Sequence, residues 1–311
     1  MILRVAFTDF WPGFDPNTDW LVGVLRTRFD LSVTDRPGEA DLVISSCFGD
    51  EHLRFDCTRV FVCWENQAWP RSRFDWCFSG DYISDPRHHR LPLWVVHLDL
   101  HPERIPADPQ RVLAEKSVFA ATVVSSPVGA VRNRLHESLD TYKPVASGGR
   151  FRNNVGGPVV DKLSFIGAAK FAFACEGSSH AGYTTEKLVQ ALAADTVPIY
   201  WGNPRVAEEF NPRRFVNYHD SPSEEAFIDR IIELDNDDDA YAEMLSQPWF
   251  REGNLPAAAD KGSLLDQFGR IVSWRGTPVA ERSRVRLAAA EVTDRYRARQ
   301  RFRERREARA G

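Results

Sequence analysis

Cysteine is scarce in this 311-residue chain, and the five present (Cys47, Cys57, Cys63, Cys77 and Cys175) are odd in number and form no C-x-x-C pair. A disulfide framework and a zinc-finger spacing are therefore not expected, and the thiols read as small hydrophobes of the core. The chain also lacks G-x-x-x-x-G-K-[ST] and G-x-G-x-x-G, which argues against P-loop ATPases and dinucleotide dehydrogenases. No apolar run approaches the ~18 to 20 residues of a membrane span; the longest are short stretches such as 91–98 and 118–124. The opening Ile2, Leu3, Arg4, Val5, Ala6 and Phe7 read as a strand rather than as the basic and long apolar regions of a signal peptide. The expected location is the cytoplasm, with the inner face of the membrane as an extension of it.

Apolar residues make up 43% and charged residues 27%, close to soluble globular averages, so the bulk of the chain should fold. At ~150 residues per domain the length suggests two domains. The net charge of -4 hides an asymmetry: residues 281–311 carry eleven Arg against five acidic residues. That tail, with Val285, Leu287, Val292, Tyr296 and Phe302 dispersed among its arginines, is expected to be a basic helix able to touch anionic membrane. A solvated, ion-paired helix fits the same pattern. Nucleic acid is not an expected partner because the rest of the surface is acidic.

Short apolar runs alternate with helical spacing along the chain: 3–7, then 20–29 as a helix, 41–45 and 60–64. This β-α-β rhythm implies mainly parallel sheets, whose sites lie in loops at the carboxyl ends of strands. The loops 9–15 and 65–69 follow such strands. Three prolines within 101–110 mark a linker. The rhythm then resumes with strands at 119–124, 170–175, 197–200 and 215–217, and helices at 129–142, 185–194 and 204–210. The expected division is 1–110, 111–280 and the tail 281–311.

The densest chemical signal runs from Phe171 to Leu188, where a strand feeds a loop holding Glu176, Gly177 and Gly182 and then a helix that Thr184 can cap. A helix amino terminus at a sheet end favours anions. Lys187, in the first turn, opposes the helix dipole unless an anion compensates. Spacing alone leaves an exposed lysine the commoner reading. The cluster Asp235-Asn-Asp-Asp-Asp239 contains D-x-D, a pattern that can hold a divalent metal, but its polar setting reads as a solvated loop. His88 and His89 are adjacent, so their side chains diverge and no metal site is expected there.

The stretch 171–188, with Val197-Pro-Ile-Tyr-Trp-Gly and Phe210-Asn-Pro-Arg-Arg-Phe-Val-Asn, resembles the sugar-nucleotide signature of the α-1,3/4-fucosyltransferases of glycosyltransferase family ten, in their bacterial form. Val124-Ser-Ser, Val131-Arg-Asn, Tyr142-Lys-Pro, Asp9-Phe-Trp, Trp64-Glu-Asn and Arg90-Leu-Pro-Leu-Trp resemble further blocks in the same order, so the likeness covers about residues 5–220. It implies an α/β, GT-B-like fold of two Rossmann-like domains facing each other across a cleft. It also implies inverting transfer of L-fucose from GDP-β-L-fucose to a hydroxyl, O3 of a GlcNAc-type residue, on an oligosaccharide or surface glycan.

By the same resemblance Glu65 is the general base, and Arg132, Asn154, Tyr183, Glu186 and Lys187 bind the donor. Asp9, Trp11, Asn66 and Trp69 are acceptor-side candidates. No cofactor is required and no protein metal site is expected, a divalent ion being at most stimulatory, since the two cations can offset the charge on departing GDP. Two departures matter: Gly177 stands where the family commonly has Asn, and Trp64 where it often has Gly. They leave open an inverting enzyme with another nucleotide sugar, beside a carbohydrate-binding homologue without turnover.

Overall fold

The computed structural model describes residues 2–283, 286–288 and 290–299. The chain folds into two units, the first of which is discontinuous: 1–92 joins the segment that begins at Ala257, while 93–256 form the second. These divisions replace the sequence-based boundaries at 110 and 280. The polar, proline-bearing stretch is only a connector inside the second unit, between α2 (Leu93–Leu100) and α3 (Pro109–Ala114).

The first unit holds β1 (Leu3–Thr8), α1 (Trp20–Arg26), β2 (Leu31–Val33), β3 (Leu42–Ser45), β4 (Thr58–Cys63), β5 (Trp76–Ser79) and β6 (His88–Arg90). Its strands lie in the order β2-β1-β3-β4-β5-β6, and every neighbouring pair is parallel. All four residues of β3 and five of the six in β4 are buried, as expected of central parallel strands covered on both faces. Asp19 caps α1 by accepting from the Val22 amide, and Leu21, Val22, Val24 and Leu25 turn inward from that start.

In the second unit β7 (Val118–Thr122), α4 (Ala130–Tyr142), β8 (Val145–Ser147), α5 (Lys162–Gly167), β9 (Ala169–Phe173), α6 (Glu186–Ala193), β10 (Val197–Tyr200) and β11 (Val216–Asn217) are followed by α7 (Glu224–Asn236) and α8 (Asp238–Leu245). The sheet order is β11-β10-β9-β7-β8, again parallel throughout. Its core joins Leu135 and Leu139 of α4, Phe171, Ile199, and Phe227 and Ile231 of α7.

Two sequence expectations change here. The helix expected at 204–210 is only the 3-10 turn Val206–Glu208. The Asp235–Asp239 stretch is not a solvated loop: Asp235 is buried, paired with Lys143 at 2.5 Å and Lys170 at 3.1 Å, and Asp237 caps α8 through the Ala240 amide. Among the described residues no three His, Cys, Asp or Glu side chains gather as a metal site. No helix among them is long and apolar enough to cross a membrane.

The first unit is completed by α9 (Lys261–Ser273), whose Phe268 meets Phe29 at 5.1 Å, and by the segment after it. Asp75, fully buried, is the clasp. One carboxylate oxygen accepts from the Val279 and Ala280 amides at 2.8 Å, and the other from the Arg59 amide and the Arg282 guanidinium. Residues 286–288 and 290–299 are helical, and the acidic side of that helix docks: Glu291 pairs with Arg73 at 2.6 Å, and Asp294 accepts from the Ser72 amide at 2.9 Å. Val285 and Phe302 lie outside the described residues.

Removing one partner of a buried, hydrogen-bonded charge costs roughly 3 to 5 kcal/mol. Asp75→Ala is therefore expected to lower unfolding free energy by about that amount in urea titration, whereas the exposed Asp56→Ala should change it by less than ~0.5 kcal/mol.

Candidate active site

Three of the donor-side candidates, Tyr183, Glu186 and Lys187, lie between the carboxyl end of β9 and the first turn of α6. Glu176, fully buried two residues past Ala174, accepts from the Thr185 amide at 2.7 Å, from the Thr185 hydroxyl, and from Lys187 Nζ at 2.9 Å. The loop between them is thereby closed at its base. Asn203, also buried, pins its middle by accepting from the Gly182 amide and donating to Thr184 Oγ1. Gly202 is needed for this arrangement, because a Cβ there would lie 2.5 Å from Glu176 Cγ.

Lys187 also donates to Thr185 Oγ1 at 2.8 Å and lies 3.6 Å from Glu186. Burial would lower its pKa, but Glu176, Glu186 and the nearby Tyr183 hydroxyl outweigh this and raise it. The lysine is a fixed cation. Glu186 is affected in the opposite sense: burial pushes it up, while Lys187 and Lys162 bring it below the ordinary glutamate value. Lys162, at the start of α5, lies 4.0 Å from Glu186 and donates to Gln190. The dipole conflict expected for Lys187 is thus already met by Glu176, a residue that sequence reasoning passed over as a member of the site. Its signal was the strand-end carboxylate eleven positions before a first-turn lysine.

Arg132 projects from α4 and is 5% exposed. Its Nη2 donates to the Ser126 and Val128 carbonyls and to Asn133 Oδ1, and Gly129, at a φ of 128° that disfavours other residues, leaves room for the guanidinium, since a Cβ there would lie 3.1 Å from Arg132 Cζ. No carboxylate among the described residues pairs with it. Burial lowers its pKa, so an anionic ligand would relieve an uncompensated charge. Asn154 has a different occupation: its Oδ1 accepts from the Ser147 amide and its Nδ2 donates to the Val145 carbonyl. Both ends of that amide hold the edge strand β8.

The first unit supplies the other candidates. Glu65 is exposed in the turn after β4, its carbonyl held by the Gln67 amide at 2.7 Å and by the Cys63 thiol. Beside it Trp64 contacts Trp11 at 6.0 Å between ring centres, and Trp11 meets Phe10 and Phe14 edge-on. Trp11 keeps 38% of its surface exposed, so the rings offer a platform next to the carboxylate.

The remaining acceptor-side candidates, Asn66, Trp69 and Asp9, are set deeper in the first unit. Asn66 is buried. Trp69 lies in the core with Phe61 and Phe74, with the guanidinium of Arg71 4.3 Å above its ring. Asp9 sits in the left-handed region at φ 58° with a side chain 2% exposed. Its carboxylate accepts from His52 Nδ1 at 2.7 Å, the Glu51 and His52 amides, and Ser45 Oγ at 2.8 Å. Through these bonds Asp9 orders the loop after β3.

Residues 5–97 match the family model of the alpha-(1,3)-fucosyltransferase FucT N-terminal domain, and residues 113–255 match that of the C-terminal part of glycosyltransferase family 10 (fucosyltransferase). The chain belongs to glycosyltransferase family 10. It is 29% identical over 284 residues to the alpha-(1,3)-fucosyltransferase FucT of Helicobacter pylori, a match covering 78% of this chain and 59% of that protein. The chain thus spans less than two thirds of the length of this curated relative. Among solved structures, an alpha1,3-fucosyltransferase superposes with a TM-score of 0.81 at 26% identity over 91% of this chain and 93% of that one. The structure of an alpha1,3-fucosyltransferase with GDP-fucose gives 0.74 at 25% identity, over 89% and 92%. The fold is α/β and GT-B-like, as the family resemblance implied.

Within this family 10 chain the departure at Gly177 has a local reading. A Cβ there would meet nothing within 4 Å, and its φ lies outside the positive range, so the position is open space beside Glu176 rather than a glycine required by the backbone.

The Asp9 network yields a pH prediction. Burial opposes ionisation, but the bonds from His52, Glu51 and Ser45 hold the carboxyl well below its usual value. A depressed carboxyl contributes stability that is present above its unfolded pKa of about 3.9 and is lost as pH falls through the folded value. Asp9→Asn is expected to be less stable than the parent at pH 7, with the gap narrowing as pH drops below about 4. Thermal melts across pH 2.5 to 7 (a range set by roughly the carboxylate titration) check this; a gap that does not change with pH would contradict it.

Proposed function

We propose that this chain transfers L-fucose from GDP-β-L-fucose to a glycan hydroxyl with inversion, O3 of a GlcNAc-type residue being the expected position. The observation that supports it most is the ordered match of both family domains, with the buried Arg132 and the half-buried Lys187 both in the second unit. In this reading Glu65 takes the proton of the acceptor hydroxyl as its oxygen bonds to the fucose anomeric carbon. The bond from that carbon to the β-phosphate oxygen breaks on the opposite face, and the electron pair leaves with GDP. Arg132 and Lys187 meet the charge that grows there. Glu186, kept ionised by two lysines, is suited to accept from donor hydroxyls, and the Trp11 and Trp64 rings to stack on an acceptor sugar. The reaction is read as needing no metal, with a divalent ion at most stimulatory, and contact of the tail with anionic membrane at the cytoplasmic face remains part of the proposal.

The open position at Gly177 favours one second reading, an inverting transferase with a different nucleotide sugar. Release of nucleotide from a panel of GDP and UDP sugars discriminates: GDP release from GDP-fucose above all others supports the first reading, and preference for another donor the second. No release from any donor leaves a binding protein.

Three outcomes are expected. Glu65→Gln should lose at least ~100-fold in transfer rate while GDP affinity, measured by calorimetry, stays within about twofold; near-parental turnover would sink the base assignment. Lys187→Ala and Arg132→Ala should each weaken GDP binding by about 10- to 100-fold, the worth of a charge-assisted hydrogen bond. Activity should survive EDTA, and complete loss that metal restores would overturn the two-cation account of leaving-group stabilisation.

A further inference from the structure

Two thiols sixteen positions apart in the sequence come side by side at the carboxyl ends of β3 and β4. These strands run parallel with Ser45 level with Phe61. The chain keeps its course past Ser45, since the Ser46 and Phe48 amides still donate to the Thr8 and Asp9 carbonyls, and the same register sets Cys47 level with Cys63. Side chains return to one face of a strand every second residue. Both thiols therefore share the face of Phe61, where they pack in one cluster with Trp69 and Phe74. Neighbouring strands lie about 4.8 Å apart, within the roughly 4.4 to 6.8 Å between Cα atoms that a disulfide bridges. The two thiols are free and hydrogen-bonded to each other.

The pair is asymmetric. Cys63 is buried, whereas Cys47 is partly exposed and lines the open cavity past the strand ends. The bond from Cys63 holds the Cys47 thiol below its ordinary pKa, against burial, while the same bond and burial raise Cys63. Attack on a disulfide needs a thiolate, so Cys47 is the attacking member and Cys63 stands behind it. The other cysteines are placed differently. Cys57 precedes β4 at its far end, Cys77 is level with Phe61, and Cys175 belongs to the second unit. Burial pushes Cys57 up to about 11 and Cys175 to about 12.

The pair also touches the turn that carries Glu65. Cys63 Sγ donates to the Glu65 carbonyl at 3.5 Å, beside the bond from the Gln67 amide. A disulfide sulfur carries no proton, so oxidation of Cys63 removes that bond.

We propose that Cys47 and Cys63 are a redox modification site, at which a low-molecular-weight disulfide drives a reversible cross-strand disulfide that loosens the Glu65 turn. The Cys47 thiolate attacks one sulfur of the small disulfide; its S–S bond breaks, and one small thiol leaves with the proton that Cys47 gave up. Cys63 then loses its proton and attacks Cys47 Sγ. The mixed S–S bond breaks, and the second small thiol leaves with the proton from Cys63. The protein is oxidised by two electrons and the small disulfide is reduced to two thiols. Formation of the bond does not depend on the transferase reading; its effect on rate rests on that reading.

The test is incubation of the full chain with oxidised glutathione, then alkylation and digestion with trypsin. Cuts at Arg54, Arg59, Arg71 and Arg73 place Cys47, Cys57, Cys63 and Cys77 in separate peptides. Mass spectrometry should find the Cys47 and Cys63 peptides joined, and parted again by dithiothreitol. In Cys63→Ala, Cys47 should stop at the glutathione adduct. Oxidation should slow GDP release from GDP-fucose about two- to tenfold, the range of one lost hydrogen bond, and dithiothreitol should restore it. Cys47→Ser should start within about twofold of the parent rate and not respond to the oxidant. No joined peptide from the folded protein, a joint through Cys57 or Cys77 in its place, or one that forms only in urea overturns the site. An unchanged rate in fully oxidised protein overturns the coupling to Glu65. A reduced chain that releases no GDP from GDP-fucose, yet forms the bond on oxidation, counts instead against the transferase reading.

Discussion

A buried carboxylate at the end of a parallel strand must find its donors inside the protein, and in this chain Glu176 finds them in the helix that follows. Its bonds to the Thr185 amide and Lys187 tie the exit of β9 to the entry of α6. The intervening loop is then a closed ring with no loose end, and Asn203 fixes its middle from the neighbouring strand exit. Lys187 is consequently positioned before any ligand arrives, its rotamer already restricted. That is the preorganisation on which electrostatic stabilisation of a leaving group depends.

The first unit uses the same device twice. Asp9 gathers the loop after β3, and Asp75 gathers the returning C-terminal segment, each by filling a carboxylate with backbone amides and one cationic or imidazole partner. Both oxygens of Asp75 are filled, with two bonds each. Among acidic residues in parallel-strand exits, burial sets the organisers apart: Asp9 and Glu176 are covered, whereas Glu65 is exposed.

Much of this was legible in the primary structure. Apolar runs such as 42–45 and 197–200 coincide with strands because central parallel strands must be apolar on both faces, and the blocks around Glu65, Arg132 and Lys187 carried the family. What escaped was set by tertiary context. β6 and β8, three residues each, are too short for periodicity to register, and α2 and α9 take their roles from packing partners far along the chain. Residue type and loop position likewise do not reveal that Asp9 and Asn154 each hold nearby backbone amides. The Asp235 cluster misled in the same way, its charge count hiding the two lysines that bury it.

The discontinuity of the first unit has a consequence for how the molecule is made. Synthesis proceeds from the amino terminus, so six parallel strands emerge while Asp75 still lacks Arg282 and the amides of Val279 and Ala280, and while Phe29 lacks Phe268. The second unit, contiguous from 93 to 256, has all of its own chain before the first has its last helix. The earlier-born sheet must therefore wait on the ribosome for its closing piece, an interval in which its unsatisfied carboxylate and uncovered aromatic side chains resemble those of a folding intermediate. Emergence of the segment from Ala257 onward, rather than of the first sheet, is the event that completes the first unit.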